Sequence, residues 1–93
     1  MQFLEDENRF YVPNPDGGED IGEITYTRIG NDKASIDHTY VNINYRGQGI
    51  ADRLFDLVIE LMKEEGRKVI PVCSYAIKQF ELKPHLQSLK AEY

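Results

Sequence analysis

The stretch Arg46-Gly47-Gln48-Gly49-Ile50-Ala51 constrains this chain most, because it joins two segments of different periodicity. Before it, residues 35–43 are rich in hydroxyl, β-branched and aromatic side chains and read as a strand. After it, residues 48–65 carry apolar side chains at helical spacing. A strand that turns through glycines into a helix N-terminus makes an anion site. The first amides of the helix lack intrahelical partners, and the macrodipole adds partial positive charge there. Gly47 and Gly49 let backbone approach a ligand closely, and Arg46 brings a fork suited to phosphate oxygens. The stretch therefore reads as a pyrophosphate cradle, although an ordinary strand-to-helix turn has the same bare spacing. Two other phosphate loops do not fit. No Gly-Lys-Ser/Thr completes a P-loop, and Asp52 stands where a dinucleotide fingerprint needs its third glycine.

The helix has one apolar face. Ile50, Leu54, Leu57 and Leu61 form a row beside Ala51, Phe55, Val58 and Met62, with charged residues mainly elsewhere. Gly66 is a natural stop, and Arg67-Lys68 complement the C-terminal dipole. Upstream, residues 2–5 and 9–12 read as a hairpin about Glu7-Asn8, and residues 13–18 form the densest turn signal. Residues 21–29 alternate as a strand, Gly30-Asn31-Asp32 turns the chain, and residues 34–43 form a further strand. In that strand, strict alternation places Ile36, His38 and Tyr40 on one face and Asp37, Thr39, Val41 and Ile43 on the other. Residues 69–73 are a short apolar strand with Pro71 interrupting its pairing. Reached through a helix, that strand should run parallel to residues 34–43. Ser74 is placed to cap a helix over residues 75–82, Pro84 ends it, and residues 85–90 form a last helical turn or two. The expected class is α+β: an antiparallel meander leading into a splayed parallel strand pair, with a long cradle helix and a C-terminal helix.

Ninety-three residues allow one domain with one modest core, so residues 1–93 are read as a single domain. The net charge of −5 argues against non-specific nucleic-acid binding. It does not argue against an anionic cofactor, for which the local field at Arg46 decides. A single cysteine forms no internal disulfide and no multi-cysteine zinc pattern, which points to a reducing, cytoplasmic setting and no metal. No apolar run approaches the roughly 18 residues of a membrane span, and the acidic N-terminus does not suit a signal peptide.

Longer context adds a resemblance. Val41, then Arg46-Gly47-Gln48-Gly49-Ile50-Ala51, then Leu54 resembles the acetyl-CoA signature of the GNAT acetyltransferase superfamily, R/Q-x-x-G-x-G/A. Arg46, Gly49 and Ala51 fill its defining positions. Tyr75-Ala76-Ile77 and Phe80, after a short strand, look like the second cofactor-facing segment, and Cys73 sits where a small single-domain subgroup places a cysteine. The resemblance covers roughly residues 35–80 and implies acetyl-CoA as cofactor. By it, Thr39 and Val41 pair with pantetheine, and the Thr39 amide lies near the thioester carbonyl. Arg46 with Gly47, Gln48, Gly49, Ile50 and Ala51 holds the pyrophosphate. Cys73, Ser74, Tyr75 and Lys78 lie on the cofactor's other side. Many members place a tyrosine acid in the helix after the second strand, and Gln79 occupies that position here. No helical pattern precedes residue 34 to shape an acceptor pocket.

The resemblance makes the chain an acetyl-CoA-dependent N-acetyltransferase acting on a primary amine: a small amine, a polyamine or a protein lysine. It is expected to act as a monomer or weak homodimer. Attack on the thioester is direct, or Cys73 takes the acetyl group first. Cys73 also suits plain packing, and His38 suits either a half-buried strand position or a general base. Tyr26, Tyr40 and Tyr45 read as packing residues, and Glu5 to Glu7 and Glu19-Asp20 as solvated carboxylates or as attractors of a cationic acceptor. The alternative from a different class is a non-catalytic acyl-CoA-binding or interaction module that kept the cradle and lost the acceptor pocket.

Overall fold

A computed structural model describes residues 1–92. One five-stranded sheet in the order β1-β2-β3-β4-β5 carries two helices. The strands are β1 (Leu4–Asp6), β2 (Arg9–Val12), β3 (Gly22–Ile29), β4 (Lys33–Val41) and β5 (Lys68–Pro71), and the helices are α1 (Ile50–Glu64) and α2 (Ser74–Leu82). The first four strands pair antiparallel in sequence order. β4 and β5, joined through α1, pair parallel as the right-handed crossover requires. The class is α+β, as the sequence implies.

The core forms where α1 lies on the sheet. Its apolar stripe, Ile50, Leu54, Phe55, Val58, Ile59 and Met62, is buried against Val12, Ile24, Tyr26, Ala34, Ile36 and Val69. Phe80 of α2 meets Phe55 edge-on, with ring centroids 6.0 Å apart. At Gly22 the first turns of α1 pack close on β3. A Cβ there would stand 3.1 Å from Ile50 Cγ2 and 3.2 Å from Leu54 Cδ1. At the far end of α1, Glu65 ties helix to sheet by accepting from Arg28 Nε at 2.8 Å, Arg28 Nη2 at 2.6 Å and Arg67 Nε at 2.7 Å. Those guanidinium donors lower the Glu65 carboxyl to about 2.

Local structure departs from the sequence reading at several points. Thr25↔His38 is followed by Tyr26↔Ile36, so Asp37 is an extra residue on β4. The bulge reverses the alternation. Ile36 faces the core with Tyr26, whereas His38 and Tyr40 pair with Thr25 and Glu23 on the outer face. Ile36, His38 and Tyr40 therefore do not share a face. Asp37 closes the bulge by accepting from Thr27 Oγ1 and Ser35 Oγ, each at 2.6 Å. β4 ends at Val41 rather than at residue 43, because Asn42 starts a 3-10 turn over Ile43–Tyr45 and accepts the Asn44 amide at 3.0 Å. α1 begins at Ile50, two residues later than expected, since Gly49 has φ 78° and stands outside the helix as its N-cap. β1 spans Leu4–Asp6, and β5 stops at Pro71, which has no amide to extend the ladder. Ser74 is already helical, and the cap of α2 is Cys73. The last helical segment, 3-10 over Pro84–Leu89, begins at the proline itself.

Candidate active site

The site is built where β4 and β5 part. Their register ends at Ile36↔Pro71, and the amides of Val72 and Cys73 both donate to the Ile36 carbonyl, at 3.0 and 3.2 Å. Beyond that point β4 continues while β5 turns into α2. The Asn42 amide donates to Ile21 on the β3 side, at 2.7 Å. With the ladder's period of two, Val41 and Thr39 present their backbone groups to the opposite edge, the one β5 has left. An extended chain can pair there.

At the end of that edge the chain enters the cradle. Gly47 and Gly49 have φ 83° and 78°, and a Cβ on either would meet no atom within 4 Å. Open space therefore lies in front of both glycines, and their residue type is set by backbone conformation. α1 starts there, with Arg53 donating to the Gly49 carbonyl at 3.1 Å as its first turn closes. The amides of the preceding residues are the ones a helix leaves unpaired. Arg46 Nε donates to the Val41 carbonyl at 3.0 Å. That bond fixes the side chain and leaves its terminal nitrogens available to an anion.

These elements enclose an open cavity of about 400 Å³. Of the residues expected at a cofactor site, Thr39, Val41, Arg46, Gly47, Gly49, Ile50, Ala51 and Tyr75 line it. Gln48, Ser74 and Lys78 are exposed and lie outside its lining. Cys73 is half-buried and also outside that lining, with Sγ 3.4 Å from Thr39 Oγ1, a lining residue, and accepting the Ala76 amide at 3.4 Å. His38 is exposed on the opposite face of β4. Gln79 is buried beside Phe80 and does not line the cavity.

Three further residues line the cavity: Tyr40 and Tyr45, which the sequence marks only as packing residues, and Asp52. Asp52 was visible only as a departure from a glycine pattern. In the fold its Oδ1 accepts the Tyr75 hydroxyl, joining α1 to α2 across the cavity. Tyr40 also reaches a second concavity, about 360 Å³ in volume and lined with Glu19, Asp20, Glu23 and His38. Its hydroxyl donates to Glu19 at 2.8 Å, and that bond raises the phenol above its ordinary value. Arg9 balances part of the acidic charge, donating to Asp20 at 3.0 Å and Glu23 at 2.8 Å. No group of side chains suited to a metal ion occurs among the described residues, and none of the described helices is long and apolar enough to cross a membrane.

Comparison with known proteins agrees with this geometry. A family model described as GCN5-related N-acetyl-transferase matches residues 9–89. Protein NATD1 of Danio rerio is 31% identical over 74 residues, which cover 80% of this chain and 67% of that protein. The solution structure of a GCN5-like protein of Staphylococcus aureus superposes with a TM-score of 0.78 at 30% identity, over 99% of this chain and 89% of that one. A ribosomal-protein-alanine N-acetyltransferase of Brucella melitensis shares the fold at 20% identity, with a TM-score of 0.60 over 91% of this chain and 63% of that one.

Proposed function

This chain belongs to the GCN5-related N-acetyltransferase family, and we propose that it moves an acetyl group from acetyl-CoA directly to a primary amine. The observation that carries this reading is the continuity of the strand edge at Thr39 and Val41 with the cradle at Arg46 and residues 49–51. A ligand with an extended, amide-bearing arm and a pyrophosphate matches that sequence of groups. Bound there, acetyl-CoA would supply an activated acyl carbon and a thiol leaving group.

The chain's own residues have separate tasks in this reading. The α1 amides and Arg46 bind phosphate oxygens. The edge at Val41 and Thr39 pairs with the arm as an added strand does. The Thr39 amide is the donor for negative charge on a thioester oxygen. The acceptor approaches from the outer face of β4, where Glu19, Asp20 and Glu23 favour a cationic amine and His38 and Glu19 are available to take a proton. A small amine, a polyamine and a protein lysine all meet that chemistry.

A non-catalytic acyl-CoA-binding module is the second reading, favoured by the burial of Gln79 at the position where the family resemblance implies a tyrosine acid. Incubation with acetyl-CoA and a panel of amines, following free CoA thiol, separates the two. Turnover with at least one amine is expected. Binding without turnover across the panel would establish the module reading. No rise in thermal stability with acetyl-CoA or CoA would remove both.

A further inference from the structure

The carboxylate of Asp52 is badly placed for a site that binds pyrophosphate. It is the third residue of α1, and a carboxylate there can reach back to the unpaired amides that an incoming anion would use. Left free, Asp52 would compete for the cradle from within the chain and would repel a phosphate group. The fold gives it a different partner. Tyr75, the second residue of α2, donates its hydroxyl to Asp52 Oδ1, and both residues line the cavity. The Tyr75 ring is itself held edge-on against fully buried Phe55, with centroids 6.1 Å apart. Burial first, and then the Asp52 carboxylate, raise the hydroxyl above its ordinary value, so it remains a donor at neutral pH.

We propose that Tyr75 is a positioning residue that holds the Asp52 carboxylate off the unpaired α1 amides and so keeps the α1 N-terminus open to an anion. The inference rests on the cradle described under the proposed function. It also assigns Tyr75 a task that a tyrosine serving as general acid would not have. The Tyr75–Asp52 bond acts on cofactor affinity and leaves the acyl-transfer step to other groups.

The test is a titration of inorganic pyrophosphate, and separately of CoA, followed by the backbone amide resonances of residues 49–52. The proteins are wild type, Tyr75→Phe, Asp52→Asn and the double variant. Phenylalanine keeps the packing on Phe55 and loses only the donor, and asparagine keeps the shape of Asp52 and loses its charge. Amide spectra of each variant report directly that it is folded. Tyr75→Phe should weaken both ligands about fivefold, the scale of one charge at a helix terminus. Asp52→Asn should bind at least as tightly as wild type, and the double variant should recover wild-type affinity to within about twofold.

A bond that only braced the two helices would leave the double variant as weak as Tyr75→Phe, and that result overturns the proposal. So does wild-type affinity in Tyr75→Phe, or a failure of pyrophosphate to move any of these amides. If pyrophosphate shows the expected pattern and CoA does not bind, the acetyl-CoA reading falls and the role of Tyr75 stands. If CoA binds equally well in all four proteins, the reverse holds.

Discussion

Thr39 Oγ1 lies 3.4 Å from Cys73 Sγ across the point where β4 and β5 separate. The same sulfur accepts the Ala76 amide and so caps α2. Its position therefore has a structural cause that is independent of chemistry at the thiol. A sulfur is a weaker acceptor than a hydroxyl. Cys73→Ser should keep or slightly raise stability, whereas Cys73→Ala should cost about 0.5–1 kcal/mol by loss of a cap. Urea denaturation of the three proteins measures this, and equal stability of Cys73→Ala and wild type would show that the cap carries no weight.

The same pair separates two chemical routes. With direct attack, Cys73→Ala retains measurable acetylation, because the Thr39 amide remains in place. Intact-mass analysis after acetyl-CoA treatment without acceptor should show no added acetyl group. An acetylated species that vanishes in Cys73→Ala, together with lost turnover, would establish a covalent route through the thiol.

Arg46 and Gly49 support the cradle in different ways. Arg46→Ala removes the guanidinium proposed to bind phosphate, a charge-assisted contact worth about 1.5–3 kcal/mol by the usual range, and should weaken CoA binding by at least tenfold. A Cβ at Gly49 meets no neighbouring atom, so the first cost of Gly49→Val is conformational. Placing a β-branched residue at φ 78° should cost about 1–2 kcal/mol of stability and distort the first turn of α1. Calorimetric titration beside thermal unfolding distinguishes the two. Unchanged CoA affinity in a folded Arg46→Ala would remove the cradle as a binding site.

Gly22 is a packing constraint rather than a turn. The tertiary contact of β3 with Ile50 and Leu54 leaves less than a van der Waals separation for a Cβ. Gly22→Ala should cost about 1–3 kcal/mol through overpacking, with a displaced α1 N-terminus and weaker CoA binding as its consequence. A variant as stable as wild type by chemical denaturation would mean that α1 shifts without penalty.

Acid should loosen the end of the fold opposite the cradle. Glu65 is held at about 2 by Arg28 and Arg67, below its ordinary value of 4.5. A depressed carboxylate contributes stability that is present above its unfolded value. That contribution is lost as pH falls from about 4.5 towards about 2. Its side chain keeps 27% exposure, so solvent screens the pair, and Glu65→Gln should cost about 1 kcal/mol at neutral pH. The variant should also show a shallower loss of stability over that acid window in denaturant titrations. A parallel pH profile in wild type and variant would remove Glu65 as the source.

By itself the sequence determined the parts whose signal is local. The apolar stripe of α1, the parallel β4–β5 crossover and the glycine turn at Gly47 and Gly49 each follow from spacing along the chain and from handedness. Tertiary structure decided the rest. Alternation cannot reveal that Asp37 is an extra residue, because a bulge is a mismatch between two strands. That one insertion sends His38 and Tyr40 to the outer face and leaves Thr39 facing Cys73. Nor does spacing reveal that Tyr75 reaches Asp52, since α1 and α2 meet only when both lie on the sheet. Positions on a single element follow its own period, whereas partners across the site depend on how the β4–β5 pair separates at Pro71.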